Sequence, residues 1–159
     1  MTMPEAWEEW IDDLRLPVRR LLPHGTRTER RSPSTYLLTV CTRPRRLNQL
    51  CHDTVAALIH ASLEFQQARA TWRLHACVLM PDHVHLIATV SPETSLDHTV
   101  TYWKRYLARQ AGIEWQRDFF EHRLRRDEHF DAKVEYLRMN PVRAGLAARP
   151  EEWPYFWTW

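Results

Sequence analysis

His83 and His85, one residue apart, are the side chains of this 159-residue chain best spaced to hold a metal ion. They open the run His83-Val84-His85-Leu86-Ile87-Ala88-Thr89-Val90, whose β-favouring residues predict a strand. Side chains two apart in a strand leave the same face, with Cα atoms roughly 7 Å apart. Both imidazoles can therefore address one ion while Val84 turns into the core. A strand supplies the rigidity a catalytic metal needs, and two histidines leave coordination positions open for further ligands and a phosphate oxygen. The same spacing also arises by chance, with each imidazole hydrogen-bonded or exposed, so it does not select between the two by itself. His75 and His122 have no comparable partner and read as structural, and His24, His52, His60 and His98 carry no signal.

A second group lies near the C-terminus. In a helix at 100° per residue, Phe130, Val134 and Leu137 form an apolar stripe. His129, Lys133, Tyr136 and Asn140 share another face about a quarter turn away. Tyr136 and Asn140, four apart, are neighbours. A tyrosine off the core stripe beside a cation and an amide has the makings of a nucleophile, and the Asn140 carbonyl oxygen is a hard ligand suited to Mg²⁺ or Mn²⁺. An amphipathic helix edge with a half-buried tyrosine fits the same pattern. Pro141 biases Asn140 away from helical geometry and leaves its direction open.

The elements that must position these residues follow from periodicity and punctuation. Tyr36 to Cys41 predicts a strand, Asn48 to Gln67 a helix, Trp72 to Met80 a second strand, and Pro81-Asp82 a tight turn into the third. Ser95 caps a helix striped by Leu96, Val100, Trp103 and Leu107 and ended by Gly112. Phe119 to Arg125 predicts a fourth strand, and a last helix capped by Asp127 runs to Asn140-Pro141. The order β-α-β-β-α-β plus a C-terminal helix is an α+β, ferredoxin-like antiparallel sheet whose added helix carries the tyrosine. Three segments are expected: an N-terminal extension over 1–34, a catalytic domain over 35–149, and an aromatic tail over 150–159. The extension combines a short amphipathic helix (Trp7, Trp10, Ile11, Leu14) with a basic arm broken by Pro17, Pro23, Gly25 and Pro33. The tail Trp153-Pro154-Tyr155-Phe156-Trp157-Thr158-Trp159 is able to stack bases. Such clusters more often pack against their own domain.

A net charge of +2 conceals a marked asymmetry. Met1 to Leu14 holds five acids and no base, whereas Arg15 to Arg46 holds nine arginines against Glu29 alone. Only Lys104 and Lys133 are lysines, and arginine suits bidentate phosphate contacts. A codon bias explains the arginine preference equally well, but the local basic run marks a polyanion-contacting arm. No run of 18 apolar residues is present, so no membrane span is expected. The acidic start argues against a secretory signal. Cys41, Cys51 and Cys77, odd in number and without CxxC spacing, read as reduced buried thiols of a cytoplasmic protein.

Several segments together resemble one family. Val78-Leu79-Met80-Pro81-Asp82-His83-Val84-His85-Leu86 is similar to the MPxHxH segment of REP-associated tyrosine transposases, members of the single-tyrosine HUH transposases. Trp115-Gln116 with Phe119 to Arg125, and then Tyr136-Leu137-Arg138-Met139-Asn140-Pro141-Val142-Arg143-Ala144-Gly145-Leu146 with Glu152-Trp153-Pro154-Tyr155, resemble the family's later stretches in order and spacing. The acidic helix, the basic arm and Phe156-Trp157-Thr158-Trp159 lie outside that pattern. The resemblance implies a single-stranded DNA endonuclease and strand transferase acting at hairpin elements through a 5′-phosphotyrosine intermediate. It implies Tyr136 as nucleophile, His83, His85 and Asn140 as ligands of Mg²⁺ or Mn²⁺, and a monomer or homodimer as the acting form. Arg123, Arg125, Arg126, Arg138 and Arg143 flank that site as DNA-contact candidates, although salt bridges to nearby acids are the commoner fate of single arginines. A non-catalytic DNA-binding regulator of the same fold and a metal-dependent nuclease using activated water are the alternatives.

Overall fold

The computed structural model describes residues 32–124 and 130–159. The acidic helix, the basic arm up to residue 31, the Asp127 cap, Arg125 and Arg126 lie outside the described residues.

Five strands and three helices alternate along the chain: β1 Ser34–Cys41, α1 Asp53–Ala68, β2 Arg73–Met80, β3 His83–Val90, α2 Leu96–Ala111, β4 Phe120–Arg123, α3 Phe130–Arg143, and β5 Phe156–Thr158 after a 3₁₀ turn at Pro150–Glu152. The strands form one antiparallel sheet in the order β4-β1-β3-β2-β5. The first four strands give the expected ferredoxin-like arrangement. Helix α1 starts at Asp53 rather than Asn48, because the Asn48 side chain folds onto its own backbone: Oδ1 accepts from the Cys51 N–H at 2.9 Å and Nδ2 donates to the Cys51 carbonyl. That local alternative to helix geometry is what makes asparagine a turn residue.

The side-chain alternation of β3 divides the molecule. Val84, Leu86, Ala88 and Val90 face α1 and α2 in the main core, whereas Ile87 joins Leu137 of α3 in a second buried cluster with Ala76, Val78 and Met80. Helices α1 and α2 thus cover one face and α3 the other. Trp103 is fully buried between the first two, its indole N–H donating to Ser62 Oγ at 2.8 Å, so its single polar atom is satisfied inside the core.

Strand β5 was not legible from periodicity, being only three residues long. Trp157 points into the main core and Phe156 into the second cluster, while the Trp153 indole donates to the Leu79 carbonyl at 2.9 Å. The aromatic tail therefore packs against its own domain, closing the β2 edge. No helix among the described residues is long and apolar enough to cross a membrane.

Helix α3 continues through Pro141, whose ring withholds an N–H from the Leu137 carbonyl, and ends two residues later at Arg143. Leu146 N–H bonds to the Pro141 carbonyl and Gly145 N–H to the Val142 carbonyl, a Schellman closure with Gly145 at φ +66°. An added Cβ there meets nothing within 4 Å, so only backbone strain opposes a side chain. Gly145→Ala is expected to lower stability by about 1 kcal/mol in urea unfolding without altering the fold.

Candidate active site

The Pro81–Asp82 turn reads in sequence only as a tight turn, and tertiary contacts bury it. The loop between β1 and α1 wraps it: Thr42 N–H and Oγ1 donate to the Asp82 carbonyl at 2.9 and 3.0 Å, and the Gln49 and Leu50 N–H groups donate to the Pro81 carbonyl. Asp82 is left 2% exposed, His83 1% and His85 5%. Two hydrogen bonds and an ion pair converge on the buried carboxylate: His83 Nδ1 donates to Oδ1 at 2.7 Å, Arg46 N–H donates to Oδ2 at 2.9 Å, and Arg45 Nε lies 3.0 Å from Oδ2. Arg46 takes φ +67°, a conformation costly for a side-chain-bearing residue, and its N–H bond to Asp82 helps hold it there.

His83 and His85 project from the same face of β3, as their spacing requires, with ring centroids 4.7 Å apart and planes at 83°. His85 Nδ1 lies 2.8 Å from Thr39 Oγ1 on the neighbouring strand. In the tautomer where Nδ1 donates to that hydroxyl, Nε2 keeps a lone pair. Nε2 is buried and meets no hydrogen-bond partner. A buried imidazole nitrogen without a partner, beside a second imidazole oriented by a carboxylate, fits a divalent ion, since metal-bound histidines characteristically donate their other N–H to such a group. Among the described residues no three His, Cys, Asp or Glu side chains converge into a metal site.

Electrostatics favour the ligand form of both rings. Burial pulls the His83 pKa down, the hydrogen bond and charge of Asp82 push it back, and Arg45 lowers it further, leaving it below the ordinary value. Burial, His83 and Arg45 together hold His85 well below that value, against Asp82. Burial raises Asp82, but its bonds to His83 and Arg46 and the Arg45 charge outweigh this and keep it below the usual carboxylate range. Neutral imidazoles and an ionised carboxylate follow at neutral pH. For the metal-free protein the sign is definite. Below the ordinary histidine pKa of 6.5 the unfolded chain takes up protons that the folded chain refuses. Stability is therefore expected to be flat above pH 6.5 with respect to these groups. It should fall as pH drops from 6.5 toward their folded values, by up to about 1.4 kcal/mol per pH unit for each histidine, and level off below them. Chemical unfolding at stepped pH measures it.

Helix α3 lies on this same face. Met80 is the ladder partner of His83 and Val78 of His85, and both belong to the buried cluster around Leu137. Leu137 is fully buried, and Tyr136 and Asn140 flank it on the helix. Asn140 is 3% exposed and remains helical despite Pro141; its Nδ2 donates to the Tyr136 carbonyl at 3.1 Å, leaving Oδ1 as the acceptor atom. Tyr136 is 36% exposed, with the Arg143 guanidinium 4.8 Å from its ring centroid. The fold thus brings His83, His85, Tyr136, Asn140 and Arg143 to one side of the sheet.

The other arginine candidates are placed differently. Arg138 is bound by Glu135 at 3.5 Å and by Glu151. Arg123 pairs in the ladder with Tyr36, whose side chain is in the main core, so it leaves the sheet on the face opposite the histidines. His75 is structural as expected, with Nε2 2.7 Å from Thr89 Oγ1 at a β-bulge. Asp82 and Arg45 were missed. Asp82 had been read only as a turn residue and Arg45 only as one charge in a basic run; adjacency of an acid to His83 was the one available signal. Cys41, Cys51 and Cys77 are free thiols, with burial pushing all three upward in pKa.

Comparison with known proteins agrees with this arrangement. The family described as IS200-like transposases matches residues 32–135. The REP-associated tyrosine transposase of Escherichia coli is 31% identical over 126 residues, spanning 76% of this chain and 74% of that protein. The chain belongs to the REP-associated tyrosine transposases, within the IS200-like family. It is accordingly an enzyme of the tyrosine transposase type. A Haemophilus influenzae relative of the same description is 30% identical over 98 residues, which are 50% of this transposase and 55% of that one. A solved structure of a REP-associated tyrosine transposase bound to a REP hairpin aligns with a TM-score of 0.68 and 27% identity, covering 79% of this chain and 76% of that one. The family match ends one residue before Tyr136, so the role of that tyrosine rests on the site geometry and on the sequence around it.

Proposed function

We propose that this transposase binds a hairpin in single-stranded DNA and nicks the strand beside it, with Tyr136 as the nucleophile. The tyrosine oxygen attacks the scissile phosphorus in line, the bond to the 3′ oxygen breaks, and that oxygen leaves as a free 3′-OH once protonated. The product is a 5′-phosphotyrosine, and its reversal by a 3′-OH joins strands, so no nucleotide cofactor is consumed. His83, His85 and the Asn140 amide oxygen are the residues that would hold Mg²⁺ or Mn²⁺. When bound, the ion supplies Lewis-acid polarisation of the phosphate. Asp82 keeps His83 in the tautomer that presents Nε2, Thr39 does the same for His85, and α3 carries Tyr136 on the same side of the sheet. Arg143, over the Tyr136 ring, is the candidate DNA contact beside the site, with Arg125 and Arg126 as further candidates, while Arg123, on the opposite face, and Arg138, paired with Glu135 and Glu151, are set aside. The solved relative bound to a REP hairpin supports a hairpin as the partner.

The single observation that carries the reading is the buried, unpartnered His85 Nε2 on the sheet face that the Tyr136 helix covers. Incubation with labelled single-stranded hairpin DNA and Mg²⁺ or Mn²⁺, followed by a denaturing gel, tests it. A covalent protein–DNA band that is lost in His83→Ala is expected. Cleavage without a covalent band would favour an activated-water nuclease. Binding without cleavage in either metal would favour a non-catalytic regulator.

A further inference from the structure

The Arg45 guanidinium is tied at one end and unsatisfied at the other. Its Nε is ion-paired with Asp82 Oδ2 at 3.0 Å, while Nη1 is buried and meets no hydrogen-bond partner. Leaving a charged donor buried without an acceptor is costly, and such an orphan in a folded protein calls for a ligand or a function. The side chain runs from this buried end to the surface, being 25% exposed overall. Its charge acts on His83, on His85 and on the Cys41 thiol, which share one face through the ladder pairs Cys41–His83 and Thr39–His85. The Cys41 thiol beside it is a weak acceptor and does not supply the missing oxygen.

We propose that Arg45 is a phosphate clamp whose Nη1 donates to a non-bridging oxygen of the DNA phosphodiester that enters beside His83 and His85. The assignment rests on the nicking reading above and names a contact that it lacks. Arginine is needed because its planar fork presents donors in two directions. Nε holds the Asp82 carboxylate that orients His83, and Nη1 is left for the phosphate. One side chain then links placement of the histidines to placement of the strand. Lysine, with one nitrogen, makes either contact but not both.

Binding of single-stranded hairpin DNA to Tyr136→Phe protein in Mn²⁺ tests the contact without turnover. A series of oligonucleotides carries one neutral methylphosphonate, moved step by step along the strand. One position is expected to weaken binding about tenfold, as loss of a charge-assisted hydrogen bond would. In Arg45→Gln on the same background that position-specific penalty should vanish, and in Arg45→Lys it should shrink. Circular dichroism and Mn²⁺ titration of each variant report folding and the histidine pair separately. A penalty that persists in both folded variants, or its absence from the parent at every position, overturns the proposal. Cleavage mapping of the Tyr136 protein separates the two readings. If the Arg45-dependent phosphate exists but no strand is cut there, the clamp stands and the nicking reading falls. Cutting at a phosphate indifferent to Arg45 has the opposite meaning.

Discussion

Tyr136→Phe is expected to abolish the covalent protein–DNA band and to reduce strand cleavage below roughly one-thousandth of the parent, because a phenyl ring has no oxygen to attack phosphorus. The substitution is mild for the fold. The ring is 36% exposed and packs under the Arg143 guanidinium, a contact that phenylalanine retains, and the apolar anchor of the helix is Leu137. Stability should change by no more than about 0.5 kcal/mol. Hairpin affinity, measured by filter binding or fluorescence anisotropy, should persist in the same preparation. That pattern separates a nucleophile from a structural tyrosine, which would move stability and leave chemistry alone. Full cleavage by the phenylalanine variant would remove Tyr136 from the mechanism.

The second large effect is expected at Asp82, which does not touch the proposed metal. Removing its carboxylate in Asp82→Ala leaves two donors, His83 Nδ1 and Arg46 N–H, without an acceptor and the Arg45 guanidinium without its ion pair. Breaking a buried, charge-assisted cluster of this kind costs about 3 kcal/mol of stability. The functional loss is distinct. Without an acceptor on Nδ1 the His83 ring is free to rotate or change tautomer, and affinity for Mn²⁺ is expected to fall by roughly 10- to 100-fold. Asp82→Asn keeps the volume and loses the charge, so it should show a loss of the same sign in metal affinity with a smaller loss of stability. Isothermal titration with Mn²⁺ and urea unfolding of both variants check the pair. Unchanged metal affinity in the folded asparagine variant would reduce Asp82 to a turn residue.

How these two sites became visible differs. Tyr136 is legible from the helical repeat, since Phe130, Val134 and Leu137 define a stripe that leaves it aside. Asn140 shows the limit of local rules. The residue before a proline is biased out of the helix, yet the buried contacts of Leu137 and the Schellman closure at Gly145 keep α3 helical through Arg143. The aromatic tail shows the same limit in another form. Packing against the domain follows from its composition, but pairing with β2 depends on the Ala76 to Val78 edge, which lies far back in the chain.

The amino-acid sequence by itself determined the order of strands and helices and the common face of His83 and His85. It also placed the tyrosine beside an asparagine and carried the resemblance to a transposase family. Each of these is encoded over a few neighbouring residues, as a period of two or of 3.6 or as a turn signal. Only the tertiary structure decided that the Pro81–Asp82 turn is buried, that the Asp82 carboxylate grips His83 and Arg45, and that α3 covers the histidine face while Arg123 points away from it. Those outcomes come from contacts such as Thr42 to Asp82 and Gln49 to Pro81, between residues far apart in the chain. Burial and unpaired donors exist only once distant segments have closed over one another. The two histidines are therefore a spacing in the sequence, and their lowered pKa and the buried, unpartnered Nε2 of His85 are properties of the fold.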